Sequence, residues 1–170
     1  MMGNLRALVL CADILESPDN QIEILKEFQK LTKEELCYDP DEIQSEFVRI
    51  FLINSTKLKC APFASWWIDG RMCGNSLYKI NHFYEKCGYK FDVDNMKKPA
   101  DHISFMIRFI AILAEEKRFD EIKEFSLFLT WFEDLANSLK IATKVQNFQL
   151  AVRFSLAIIN SLKEEKCKML

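Results

Sequence analysis

With 170 residues, 49% of them hydrophobic and 28% charged, the chain has a globular composition and enough length to bury one core, which excludes intrinsic disorder. A formal net charge of -2 at pH 7 leaves no basic footprint for DNA or RNA, so nucleic acid is not an expected partner. Only four glycines and four prolines punctuate the chain, and apolar residues recur at spacings of three and four, which predicts an all-α, single-domain helical bundle over residues 1–170.

The amino terminus has one early base, Arg6, and an apolar run from Ala7 to Ala12 followed by Asp13 and Glu16. It lacks the length and cleavage site of a secretory signal, and the expected location is the cytoplasm. Leu5, Leu8, Val9, Ala12 and Leu15 trace one face of a first helix, which Ser17-Pro18-Asp19 ends. Ile22, Leu25, Phe28 and Leu31 trace a second. Asp39 then reads as an N-cap with Pro40 in the first turn of a third helix, through Ile43, Phe47, Ile50 and Phe51. From there to Gly74 the helical pattern lapses, yet the segment from Cys60 to Gly74 carries Pro62, Phe63, Trp66 and Trp67. A connection this apolar either folds back into the core or lines a site for an apolar ligand.

Ser76 opens the next helix, through Leu77, Ile80, Phe83 and Tyr84, and Gly88 closes it as a left-handed C-cap. A hydrated connection from Tyr89 to Pro99 leads to a helix that is apolar on nearly every side between Ile103 and Ala114, the pattern of a bundle centre. Arg108 is its one charge and interrupts the best candidate for a membrane span, so stable membrane insertion is not expected. Phe125, Leu129, Phe132 and Leu135 mark a further stripe; Phe148, Val152, Ser155, Ile159 and Leu162 mark the last.

Constellations that carry chemistry are sparse. Six cysteines, at positions 11, 37, 60, 73, 87 and 167, include no C-x-x-C pair and read as reduced, mostly buried thiols without a metal. The ending Cys167-Lys168-Met169-Leu170 has the outline of a prenylation box, but Lys168 is not aliphatic and the match is discounted. There is no phosphate-cradling glycine loop, and His82 reads as an ordinary helix residue. Asp101 reads as the N-cap of the central helix, with His102 in its first turn. Cys60 or Cys73 paired with His102 lacks a third, orienting group, so no enzyme, catalytic residue or cofactor is expected.

Four motifs follow one another along the chain: Phe47-x-x-Ile50-Phe51, Pro62-Phe63-Ala64-Ser65-Trp66-Trp67-Ile68-Asp69, Gly74-Asn75-Ser76, and Pro99-Ala100-Asp101-His102 before the apolar helix. In that order they make the chain similar to the TorD/DmsD family of cytoplasmic redox-enzyme maturation chaperones, over about Glu46 to Leu162. The proline-aromatic loop looks closest to the DmsD branch. The resemblance implies a bundle of the TorD/DmsD-like type and a chaperone that is not a catalyst. It would bind the twin-arginine leader peptide of a molybdenum-cofactor oxidoreductase precursor until cofactor insertion and folding are complete. The twin-arginine export machinery is a further implied partner.

The leader-binding residues implied are Phe47, Ile50, Phe51, Pro62, Phe63, Ser65, Trp67, Gly74, Asp101 and His102. Phe47, Phe51, Phe63 and Trp67 would form an apolar groove wall, and Asp101, with Asp69 or Glu46, would accept guanidinium groups. The chain departs from the family pattern at three places. Ile50 stands for a leucine, Glu133 replaces a proline after Trp131-Phe132, and Lys97 and Lys98 occupy a region that is often acidic. The alternative is a helical adaptor that binds folded protein partners without leader-peptide specificity.

Overall fold

The computed structural model describes residues 2–53, 60–90 and 97–164. Cys167 and the rest of the terminal Cys-Lys-Met-Leu lie outside the described residues, as does most of the connection between Tyr89 and Pro99. Among the described residues the regular elements are helical, and the chain is all-α, as its patterning predicts. The elements are α1 (Met2–Glu16), α2 (Gln21–Thr32), α3 (Pro40–Phe47) running on into a π turn (Val48–Leu52), α4 (Ala64–Asp69) and α5 (Asn75–Lys86). They continue with α6 (Ile103–Glu115), α7 (Phe119–Phe125) and a 3-10 turn (Ser126–Leu129), then α8 (Phe132–Ala142) and α9 (Asn147–Glu164). No helix among the described residues is long and apolar enough to cross a membrane.

The all-round apolar helix, α6, does occupy the centre. Only Arg108, Ile112 and Glu115 of its residues escape burial, and α1 and α7 pack along it. On its other side α1 packs against α9 and α2, and α9 packs against α8. Arg108 is tolerated at this depth because α1 supplies two carboxylates: Nη1 meets Asp13 at 2.7 Å, and Nη2 meets Glu16. An aromatic cluster fills the end of the core near α5, with Tyr84 and Phe109 ring centroids 4.6 Å apart and Phe109 and Phe125 4.8 Å apart.

Helix termini follow the sequence signals in most places. Asp39 accepts from the backbone N–H groups of Asp41 and Glu42 at 3.0 and 3.2 Å, with Pro40 in the first turn. Gly88 takes φ 90° after α5, the left-handed conformation that a C-cap glycine adopts without strain. Three details differ from the sequence reading. A short helix, α4, forms within the stretch before Gly74 where the helical pattern lapses. Gly74 caps α5, so the helix opens at Asn75 and Ser76 lies within its first turn. Leu31, assigned to the buried stripe of α2, is 45% exposed, and Gln21 is buried on that helix instead. The amide of Gln21 donates to the carbonyls of Ile14 and Ser17, tying α2 to the end of α1.

Candidate functional site

The apolar connection between α3 and α5 runs beside the residues that precede α6. Phe63 and His102 form an isolated antiparallel bridge. Around it, Ala64 N–H donates to the Asp101 carbonyl at 3.0 Å, and Ile103 N–H donates to the Pro62 carbonyl at 2.8 Å. These bonds bear on the question that the connection raised: at Pro62 and Ala64 its backbone is satisfied by pairing with Ile103 and Asp101, so apolar side chains are tolerated there. Cys60, Ala61, Pro62, Ala64 and Ser65 are buried, whereas Phe63, Trp66 and Trp67 are half-buried.

Asp101 does not cap its own helix. His102 is the N-cap of α6, with φ -66° and ψ 136°, and its Nδ1 accepts from the N–H of Ser104 at 3.3 Å. Asp101 instead turns its carboxylate to α4, where Oδ2 accepts from the N–H of Ser65 at 2.8 Å. Phe63, the residue before α4, offers no side-chain cap, so a residue far along the chain supplies one. Asp101 is fully buried, and its second oxygen, Oδ1, has no hydrogen-bond partner among the described residues. Its charge acts on Tyr84, whose phenol is pushed well above the usual tyrosine range, first by burial and then by Asp101. Tyr84 in turn donates to the Ala100 carbonyl at 3.0 Å, fixing the segment from the other side.

His102 is 3% exposed, and its pKa is lowered to about 3 by burial first, then by the charges of Lys98 and Arg108. The ring is therefore neutral at ordinary pH. Accepting at Nδ1 places its proton on Nε2. Nδ1 also meets Ser104 Oγ at 2.8 Å, and the ring packs edge-on against Phe63 with centroids 5.1 Å apart.

The rest of the loop is held by specific contacts. Trp67 Nε1 donates to the Ala61 carbonyl at 2.8 Å, and its indole stacks on Trp131 at 5.9 Å with an interplanar angle of 17°. Ser65 Oγ accepts from the N–H of Cys73 at 3.1 Å. Asp69 Oδ2 accepts from Ser76 N–H and Oγ at 2.9 and 2.5 Å, which caps α5 and holds the carboxyl below its usual range. A methyl group at Gly74 would lie 2.3 Å from that oxygen, so only glycine fits beside the cap.

The structure thus divides the ten candidate residues. Pro62, Phe63, Ser65, Trp67, Gly74, Asp101 and His102 meet in this one junction. Phe47, Ile50 and Phe51 lie elsewhere, 2%, 0% and 7% exposed, with Phe47 and Phe51 both packed on Phe148 of α9. Of the other two carboxylates considered as acceptors, Asp69 is engaged with Ser76. Glu46 is bidentate with Arg49 at 2.7 and 2.6 Å, a pairing that lowers its pKa. Sequence reasoning gave no role to Asn81 or Ser104, and it named Trp131 only as part of a family motif, not as a partner of Trp67. Asn81 Oδ1 is buried without a partner among the described residues, and nothing in the helical pattern of α5 marks it. No group of three or more His, Cys, Asp and Glu among the described residues is arranged to hold a metal ion.

A family model described as nitrate reductase delta subunit matches residues 17–143. The chain is 25% identical over 124 residues to the chaperone protein TorD of Actinobacillus succinogenes, a match covering 71% of this chain and 63% of that relative. A crystal structure of an Archaeoglobus fulgidus protein, described as a redox enzyme maturation protein, superposes with a TM-score of 0.62 at 21% identity. That alignment covers 96% of this chain and 94% of the other, and it shows a shared fold.

Proposed function

Since the chain belongs to the nitrate reductase delta subunit family, with the TorD-like maturation proteins among its members, we propose that it is a chaperone for a redox-enzyme precursor. Residues 1–170 act as one domain that holds the precursor by its twin-arginine leader in the cytoplasm. The client is a molybdenum-cofactor oxidoreductase, released toward the export machinery once it is folded and loaded. The work is binding alone: no bond is made or broken.

The observation that carries the leader reading is Asp101. A fully buried carboxylate with one oxygen unpartnered is an acceptor in want of a donor, and a guanidinium brings several donors in a planar fork. Phe63, whose ring packs against His102, and Trp67 are both half-buried, so the apolar residues of an arriving peptide lie along the two rings while its guanidinium goes to Oδ1. Phe47 and Phe51, already in the core, contribute by holding α3 in place.

Calorimetric titration with a twin-arginine leader peptide, against the same peptide with both arginines changed to lysine, tests the reading. Asp101→Asn keeps an acceptor for Ser65 N–H but removes the charge. It should weaken leader binding by about tenfold or more, the equivalent of ~1.4 kcal/mol, while the protein still melts cooperatively. Equal affinity for the arginine and lysine peptides, or an Asp101→Asn protein that binds like the wild type, would remove Asp101 from the site.

A further inference from the structure

Beside the junction lies an open cavity of about 420 Å³, with Cys73, Leu77 and Asn81 on one side and the segment from Lys97 to Ala100 on the other. Cys73 N–H donates to Ser65 Oγ, and Ser65 N–H donates to Asp101 Oδ2, so the cavity adjoins the junction that holds the carboxylate assigned to an arginine. Among the described residues no carboxylate lines it, and the two charged residues that do, Lys97 and Lys98, are both positive.

The two lysines differ. Lys98 is half-buried, and its ammonium donates to the Glu16 carbonyl at the end of α1. Lys97 is exposed, and among the described residues no ion pair involves it. Lys97 and Cys73, facing the cavity from its two sides, both hold left-handed backbone, with φ 53° and 54°. Asn81 also lines the cavity, and its Oδ1 is buried without a partner among the described residues.

We propose that this cavity takes an acidic side chain of the bound leader, with Lys97 as the residue that selects it. The inference rests on the leader reading above and sharpens it: the client peptide carries a carboxylate near its basic pair. Opposite charges at Asp101 and Lys97 then set the direction in which the peptide lies, because reversing it would place like charges together.

Twin-arginine peptides with glutamate at successive positions on either side of the pair, each matched to its glutamine counterpart, test this by fluorescence anisotropy on the full chain. At one position glutamate should bind about fivefold more tightly than glutamine. Lys97→Gln should abolish that preference and Lys97→Glu reverse it, each read as the ratio of glutamate to glutamine affinity within one protein. The favoured peptide should also protect Cys73 from iodoacetamide, read by mass spectrometry of the peptide that contains Cys73. Equal binding of every glutamate and glutamine pair, or a preference that survives Lys97→Glu, overturns the inference while leaving the leader reading intact. If no twin-arginine peptide binds the wild type, both fall together.

Discussion

His102 combines a cap and a titratable group in one buried ring. Its cap on α6 needs an unprotonated Nδ1, and the folded-state pKa of about 3 keeps it so. In an unfolded chain the same ring titrates near ~6.5. Below that value the unfolded state takes up a proton that the folded state refuses. Stability from this residue is therefore complete above about pH 6.5 and is lost as pH falls toward about 3. Urea midpoints between about pH 8 and about pH 4 should fall more steeply for the wild type than for His102→Asn, which caps a helix without titrating. Parallel curves would mean that other groups account for the acid sensitivity.

At the scale of elements, α4 and α6 ask different things of their aromatic residues. Phe109 lies in the middle of α6 among Tyr84, Phe83 and Phe125, so Phe109→Ala should lose about 3 to 5 kcal/mol and leave little folded protein. Phe63 is half-buried, and Phe63→Ala should melt within a few degrees of the wild type while leader binding weakens strongly. Trp67 falls between them. It too lies in the apolar connection, but its bond to the Ala61 carbonyl and its stack on Trp131 make it a brace for α4 as well as a wall. Trp67→Ala should therefore lose both stability and binding, and Trp67→Phe should recover part of each. Thermal melts run beside the peptide titrations separate the three outcomes; a Phe63→Ala protein that melts as early as Phe109→Ala would make the connection core and not site.

Across the whole molecule, polar side chains join segments that are distant in the chain. The amide of Asn147, fully buried, accepts from Cys37 N–H and donates to the Cys37 carbonyl, both at 2.9 Å, so α9 holds the extended segment before α3. Arg49 reaches the Ala142 carbonyl at the end of α8 at 2.6 Å, and Arg108 reaches α1. Asn147→Ala leaves two backbone groups of Cys37 without their partner and should cost about 1 to 3 kcal/mol, measured by urea denaturation. Leader affinity of the folded fraction should not change, because Asn147 lies outside the junction. A loss of affinity with normal stability would instead connect α9 to the site.

Helical class, the central position of α6 and most helix ends were legible in the sequence, because period, caps and glycine conformations are local properties of a few neighbouring residues. The family resemblance was legible too, since four motifs kept their order, and the match to residues 17–143 bears it out. What each motif residue does was not legible. Asp101 beside Pro99 has every local mark of an N-cap, yet it caps α4, because packing brings Ser65 N–H to its carboxylate while His102 serves α6. Phe47 and Phe63 are both phenylalanines in motif positions, and only their different neighbours, Phe148 for one and the edge of His102 for the other, make one core and the other half-exposed. Burial and hydrogen-bond partnership are set by contacts between residues distant in the chain, and no pattern of near neighbours contains them.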